Sequence, residues 1–194
     1  MNMINLKIGV RLAIGFGTLT IIALLLGTLA VVGTNTMSTN MESIGENRVP
    51  SLQALAQLNR LRMVIRAQTY IVLAYETQPD LQTALRSVQE ERGHSWQQVN
   101  QWWETLLKTP RTSEKGRVLQ QQLQEQYRAW RAIYVELDGL IVRIAAATDF
   151  DQKPALFTQY RQTISRMVPI SDRMGQTFDA MTENNTTRTN QMIK

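Results

Sequence analysis

One apolar segment constrains this chain more than any other feature of its sequence. From Leu12 to Val32 the chain contains no charged residue. The hydrocarbon core of a membrane is about 30 Å thick, and a helix that rises about 1.5 Å per residue needs roughly 20 apolar residues to cross it. The segment has the length and the polarity of a transmembrane helix, which we predict at residues 12–33.

The charges on either side of the segment predict its orientation. Lys7 and Arg11 precede it without any acidic residue, and the next charged residue after it is Glu42. Because basic residues are enriched on the cytoplasmic side of membrane helices, residues 1–11 are expected in the cytoplasm. Residues 34–194 are then expected outside the cytoplasm as a single domain.

A cleaved signal peptide is the competing interpretation of the same segment. Such a peptide has the same order of basic residues, apolar run and polar stretch, and Thr28-Leu29-Ala30 resembles a cleavage site. Two observations favour the membrane anchor. The apolar run is longer than the apolar region of a usual signal peptide, and its glycines are tolerated in membrane helices.

The composition argues against several kinds of chemistry. The chain has no cysteine and a single histidine, His94, so it lacks a disulfide framework and the usual ligands of transition metals. No pair of carboxylates and no glycine-rich phosphate loop stands out, and we predict no enzyme, no metal and no cofactor. The net charge is +5, but the basic residues are scattered, which argues against a nucleic-acid partner.

The rest of the sequence predicts helices. Alternation of apolar and polar residues, which is typical of strands, is absent, and apolar residues recur at spacings of three and four. We predict an all-α fold, in which the transmembrane helix is followed by an antiparallel, up-down-up-down four-helix bundle. The first bundle helix either continues the membrane helix or is separated from it by a break near Gly45 and Pro50. The predicted bundle helices run from near Pro50 to about Glu76, from the capping segment Thr77–Asp80 to Thr109, from about Glu114 to Thr148, and onward from the turn Asp149–Pro154 with a kink at Pro169.

The N-terminal residues resemble a known family. The stretch from Asn5 to Leu12, followed by Gly15-Phe16 and the membrane segment, resembles the start of bacterial methyl-accepting chemotaxis proteins. The helical pattern after it resembles the four-helix-bundle sensor domain of the same proteins. The resemblance implies a chemoreceptor sensor module in the inner membrane, with the residues after about 33 in the periplasm and a homodimer as the functional form.

The resemblance also implies partners. In that family a second membrane span leads from the sensor to a HAMP linker and a cytoplasmic signalling rod, which this chain does not contain. We therefore expect it to be the N-terminal part of a longer receptor, whose absent cytoplasmic part reaches the chemotaxis kinase complex. Receptors of this type often bind carboxylates through arginines of the first bundle helix, which implies a small anionic metabolite as the ligand.

Helical geometry selects the candidate ligand-binding residues. At about 100° per residue, several arginines and polar residues flank the apolar stripes of the first and third bundle helices, whereas Arg60 and Arg128 point away. Arginine suits an anionic ligand because its planar guanidinium binds a carboxylate through two parallel hydrogen bonds. The candidates are Arg62, Arg66 and Thr69 on the first bundle helix and Tyr127, Arg131 and Tyr134 on the third.

Other interpretations stay open at this point. Arginines beside an apolar stripe commonly cover the core with their stems and keep the charge in water. Thr163 and Arg166 on the fourth helix are weaker candidates for the same site. The same kind of sensor bundle also precedes histidine kinases and cyclic-dinucleotide enzymes. A membrane-anchored structural bundle without a ligand, and a secreted soluble bundle cut near Ala30, are the further alternatives.

Overall fold

The computed structural model describes residues 8–111, 113–147 and 152–193. The chain divides into two compact units at Gly45. The described residues form helices and their connections, without a strand among them, as the sequence predicts. In chain order the helices are α1 (Ile8–Ser43), α2 (Val49–Ala74), α3 (Leu81–Lys108), α4 (Glu114–Ala146) and α5 (Gln152–Ile193). A π-helical turn at Ile44–Arg48 joins α1 directly to α2, so the backbone stays helical where a break was one of the two expectations.

The first unit contains α1, which is long and apolar enough to cross a membrane. Its large apolar side chains are exposed to the surroundings, as Leu24 and Leu29 show with exposed fractions of 65% and 68%. Several threonines satisfy their hydroxyl groups within the helix, and Thr18 donates to the Ile14 carbonyl at 2.8 Å. Between Leu12 and Val32 these properties suit an apolar solvent, because that stretch carries no charged side chain.

The second unit is an antiparallel four-helix bundle, which confirms the predicted fold class. Helix α2 packs against α3, α3 against α4 and α4 against α5, and α5 closes the bundle against α2. Successive helices run in opposite directions because their connections are short. The α2–α3 and α4–α5 connections lie at one end of the bundle. The α3–α4 connection lies at the other, which we call the single-loop end.

The core follows the apolar residues that recur at spacings of three and four and are therefore predicted to be buried, with three exceptions. Trp103, Leu119 and Ile170 are half-buried at the edge of the core instead of inside it. The buried residues also include polar ones, among them Arg62, Thr69 and Arg92 of the site described below. The apolar residues that were predicted to be buried and are buried include Leu58, Leu61, Ile65, Val72, Leu85, Val99, Leu123, Trp130, Ile141, Met167, Met174 and Phe178.

Helix α3 begins later than the sequence predicts. The prediction makes Thr77 the N-cap and places Pro79 in the first turn, but the helix begins at Leu81 after Asp80. The first helical hydrogen bond runs from the Ala84 N–H to the Asp80 carbonyl (3.0 Å). The residues that were predicted as a cap instead form the turn that reverses the chain, a role that proline and polar residues fill equally well.

Helix α4 begins as predicted, whereas α5 begins at Gln152, inside the predicted turn Asp149–Pro154. Proline is tolerated in the first turn of a helix, so Pro154 does not delay its start. Thr112 and Ser113 are the predicted caps of α4, and Ser113 takes this role, because its Oγ accepts from the Gly116 N–H (3.1 Å). Helix α5 runs without interruption through Pro169, and a kink there stays a prediction. Three predicted features lie outside the described residues. They are the second cap residue of α4 (Thr112), the end of α4 (Thr148) and the start of the following turn (Asp149–Asp151).

Candidate ligand site

Arg62 on α2 is nearly buried although it is charged, with 8% of its surface exposed. Its guanidinium donates to Asn59 Oδ1 (2.8 and 3.0 Å) and to the carbonyl and hydroxyl oxygens of Ser171 on α5 (2.9 and 3.0 Å). Gly175 makes room for it, because a Cβ at that position would lie 2.6 Å from Arg62 Nη2. All of these acceptors are neutral, so the hydrogen bonds of Arg62 do not neutralise its charge.

Arg66 lies one turn further along α2 and also reaches α5. Its Nη1 donates to Asp172 Oδ1 at 2.5 Å, and the two side chains are 20% and 51% exposed. An exposed ion pair contributes about 0 to 1 kcal/mol to stability. The pair is therefore weak enough for the carboxylate of a ligand to take the place of Asp172.

A polar layer, made of Thr69, Arg92, Asp138 and Tyr160, crosses the centre of the bundle and joins all four helices. Thr69 on α2 accepts a hydrogen bond from Arg92 Nη2 on α3 (3.0 Å), and Arg92 Nη1 pairs with Asp138 on α4 (2.5 Å). Tyr160 on α5 donates its hydroxyl to the Thr69 carbonyl (3.1 Å). Because each contact joins two different helices, the layer holds them in one register.

Sequence reasoning missed Arg92, which is only 2% exposed. A signal for it exists, because the buried residues of α3 repeat at intervals of three and four and position 92 falls between Val88 and Ser95 in that series. A charged residue in the middle of a buried stripe needs a partner in the core. The position alone therefore predicts a buried ion pair, although it does not identify Asp138.

Tyr134 on α4 is fully buried, whereas the sequence places it at the border of the core. Its ring packs edge to face against Trp96 and Trp130, with centroids 5.5 and 5.3 Å away. Burial raises the pKa of Tyr134 to about 12, although the Thr69 hydroxyl and the charge of Arg92 act in the opposite direction. The hydroxyl group stays protonated at neutral pH and available as a hydrogen-bond donor.

Alkaline titration should report the burial of Tyr134. Its pKa is about 12 in the folded chain against an ordinary value of 10, so the folded chain holds the proton longer. The resulting stability is fully present below pH 10 and is lost as the pH rises towards 12, on the order of 3 kcal/mol in total. Tyr134→Phe should reduce the fall in Tm over this range and remove one late tyrosinate step from the ultraviolet absorbance. The exposed Tyr70→Phe is the control, and identical profiles for both variants would contradict the assignment.

Tyr127 and Arg131 on α4 face α3. Tyr127 stacks on Trp103 with ring centroids 3.8 Å apart, and the Arg131 guanidinium lies 3.9 Å from the centre of the Trp96 ring. Such a cation–π contact is worth about 0.5 to 1 kcal/mol at an exposed site. Within the described part of the chain Arg131 has no ion-pair or hydrogen-bond partner, so its N–H groups are available to an anion.

The structure does not bring the six candidate residues to a single point. Arg62 and Arg66 face α5, whereas Tyr127 and Arg131 face α3 on the opposite side of the bundle. Thr69 and Tyr134 meet at the bundle centre between these two groups. Helical angles place a residue on one flank of its own helix, but they do not say which neighbouring helix that flank meets.

The remaining sequence candidates have simple environments. Thr163 donates to Glu136 (2.9 Å), and Arg166 pairs with the same carboxylate. His94 is exposed, and so are Arg60 and Arg128, which the sequence places on outward faces. No cluster of three or more His, Cys, Asp or Glu side chains suited to a metal ion occurs among the described residues.

Comparison with known protein families gives one match. A family described as a four-helix-bundle sensory module for signal transduction matches residues 5–191, which is nearly the whole chain. The match covers the N-terminal apolar helix and all four helices of the bundle. Neither the comparison with curated proteins nor the comparison with solved structures finds a match.

Proposed function

The chain belongs to the family of four-helix-bundle sensory modules for signal transduction, and we propose that it is the sensor part of a transmembrane chemoreceptor. In this proposal residues 12–33 cross the inner membrane, residues 1–11 lie in the cytoplasm and residues 34–194 form a periplasmic sensor domain. The exposed apolar side chains of residues 12–33 support the crossing, and the basic residues Lys7 and Arg11 before this segment support the orientation.

The proposed ligand is a small anion that bears a carboxylate. Three arginines support this choice, and they carry the proposal: Arg62 and Arg131 form no ion pair within the described residues, and the carboxylate that pairs with Arg66 is the exposed Asp172. A guanidinium binds a carboxylate through charge-assisted hydrogen bonds, each worth about 1.5 to 3 kcal/mol. Arg62 and Arg66, with Tyr134 behind them, form one group of donors, and Tyr127 and Arg131 form the second. Thr69 lies beside the first group, but its hydroxyl already donates to the Ile65 carbonyl (2.8 Å).

A ligand transmits a signal only if it prefers one of two helix packings. A carboxylate that replaces Asp172 on Arg66 breaks a contact between α2 and α5 and favours a packing in which α5 is displaced along α2. A ligand that binds both packings equally would shift nothing. In a longer receptor the displacement would pass along α5 towards a cytoplasmic signalling part and the chemotaxis kinase complex.

A second copy of the chain is the proposed partner of α2. The outward face of this helix carries apolar residues of which Met63 and Tyr70 are 49% and 43% exposed. The residues of this face are Ala56, Met63, Ala67, Tyr70 and Ala74. They are separated by seven, four, three and four residues, which is the heptad pattern of two-helix contacts.

Two alternatives have distinct signatures. A sensor of a histidine kinase or of a cyclic-dinucleotide enzyme would use the same module with a different output. A structural bundle without a small ligand is favoured by one observation, because Arg66 and Arg166 are already paired with carboxylates of their own chain. That alternative requires the chain to show no thermal response to any metabolite.

A thermal-shift screen of the full chain in detergent tests the proposal. The panel contains organic acids, aromatic carboxylates, amino acids and neutral controls, and we expect a rise in Tm that is confined to carboxylates. Arg66→Ala should abolish the rise if the first group binds the ligand, and Arg131→Ala if the second does. Arg128→Ala, an exposed arginine one turn before Arg131, should leave it unchanged. A full response in both variants would place the ligand elsewhere, and silence of the folded chain would favour the structural alternative.

Asp172→Asn should strengthen the binding of the carboxylate, whereas Arg66→Ala and Arg131→Ala should weaken it. It frees Arg66 from its own carboxylate and keeps the shape of the side chain, while the stability of the unliganded chain should fall by less than about 1 kcal/mol. We expect the carboxylate found in the screen to bind about tenfold more tightly, which corresponds to about 1.4 kcal/mol. Weaker binding would show that Asp172 contacts the ligand favourably and does not compete with it.

A further inference from the structure

A polar cluster joins three segments at the single-loop end of the bundle. Arg111 in the α3–α4 connection donates Nη1 to Ser51 Oγ on α2 (2.7 Å) and Nε to Gln120 on α4 (3.2 Å). Asn185 on α5 donates to the same Ser51 oxygen (3.0 Å). Ser51 and Asn185 are 1% and 8% exposed, so the cluster lies inside the bundle end.

Two further arginines lie at the same end of the bundle, each about one helical turn from a member of the cluster. Arg48 precedes Ser51 by three residues, and Arg188 follows Asn185 by three residues, so each lies on the same helical face as its neighbour in the cluster. The two guanidinium groups are close enough for their charges to repel each other. Both side chains are half-buried, which weakens the screening of this repulsion by solvent.

The cluster has more donors than acceptors. Arg111 Nη2 and Arg48 Nε are buried and have no hydrogen-bond partner in the described part of the chain. Ser51 Oγ accepts two hydrogen bonds and still has its own proton to donate. A trapped water would satisfy an N–H group, but it would leave the repulsion between the charges in place.

No carboxylate of the described residues neutralises these arginines. The five ion pairs among those residues involve other side chains, and the nearby Glu114 is taken by Arg117. Burial lowers the pKa of Arg111, and no acidic neighbour offsets this effect. Since arginine keeps its proton in proteins, the bundle end holds positive charges that no carboxylate of the described residues balances.

We propose that the single-loop end binds an oxyanion of the phosphate class between Arg48, Arg111 and Arg188, with the Ser51 hydroxyl as a further donor. A tetrahedral oxyanion presents acceptor oxygens in several directions, which fits guanidinium groups that arrive from three segments of the chain. Its charge would relieve the repulsion between Arg48 and Arg188. The phosphate group belongs to a free phosphate or to the headgroup of an anionic lipid.

Calorimetry and thermal unfolding of the full chain in non-ionic detergent test the free-phosphate source. Inorganic phosphate should raise Tm more than sodium chloride at the same ionic strength. Arg111→Gln and Arg188→Gln should each weaken phosphate binding about tenfold or more. Arg188→Gln changes no hydrogen bond of the cluster, so it tests the site even where Arg111→Gln disturbs folding. Arg117→Gln, an exposed arginine at the same end, should bind phosphate like the unmodified chain.

Reconstitution of the full chain in lipid nanodiscs tests the lipid source. A Tm that is higher in phosphatidylglycerol than in phosphatidylcholine, and that loses this difference in Arg188→Gln, would assign the site to a lipid phosphate. Arg66→Ala should keep either response, which separates this site from the proposed carboxylate site. The proposal is overturned if neither source stabilises the chain, or if Arg111→Gln and Arg188→Gln both respond like the unmodified chain.

Discussion

Replacement of Asp138 by alanine is expected to lower the free energy of unfolding of the bundle by about 3 to 5 kcal/mol. Arg92, its partner at 2.5 Å, is 2% exposed, so the substitution leaves a buried positive charge without its counter-ion. Removal of one member of a buried ion pair typically costs this much, because the remaining charge has lost water and gained nothing in exchange. The four tryptophans all lie in the bundle, so tryptophan fluorescence during urea unfolding of the full chain in detergent measures the change.

Replacement of Arg92, the buried member of the same pair, should lower the free energy of unfolding by less. Arg92→Met removes the buried charge and fills much of its volume, and the Asp138 side chain that remains is 38% exposed and can be hydrated. We expect a loss well below that of Asp138→Ala. Glu114→Ala, in the exposed pair with Arg117, is the control and should cost less than about 1 kcal/mol. Equal losses at positions 92 and 138 would contradict the unequal burial of the two side chains.

Trp130→Ala should produce a loss of similar size for a different reason. Trp130 is fully buried, and its ring meets Trp96 and Tyr134 edge to face at 4.8 and 5.3 Å. Removal of a buried tryptophan side chain costs about 3 to 5 kcal/mol, because transfer free energy is lost and a cavity remains. The midpoint of urea unfolding should fall accordingly, and the near-ultraviolet circular dichroism of the aromatic cluster should weaken.

Trp102→Ala is the matched control for this substitution. Trp102 lies on the same helix as Trp96 but is half-buried. Its replacement should therefore cost clearly less than the replacement of Trp130, since a smaller area returns to water and the site can collapse. If the two variants lost equal stability, the centre of the core would not lie at Trp130.

Sequence periodicity was sufficient for the fold. The N-terminal helix, long and apolar enough to cross a membrane, follows from an apolar run without charges, and the four bundle helices follow from apolar spacings of three and four. The ends of α2 and the Ser113 cap were predictable because they depend on residues that are close in sequence. The start of α3 was not, because Pro79 suits both a turn and a first helical turn, and the choice depends on where the chain reverses.

The candidate site was predictable only in part. Arg62 and Arg66 do lie on the flank of α2 that helical angles predict, but nothing in the sequence says that this flank meets Ser171 and Asp172 of α5. These partners are more than 100 residues away along the chain, with separations of 109 and 106. The same limit explains why Tyr134 was placed at the border of the core, since the width of the buried face depends on how closely α2 and α3 approach α4.

The amino-acid sequence by itself determined the fold class, the helices and the apolar face of each bundle helix, because these properties depend on hydrophobic periodicity and on local backbone chemistry. Only the tertiary structure decided which charges are paired. It showed that Arg92 is neutralised inside the core by Asp138 and that Arg131 rests on an indole ring. It also showed that Arg111 at the bundle end has no carboxylate partner among the described residues. Charge pairing acts between side chains that are distant in sequence, and its strength depends on burial, which exists only once the helices have packed.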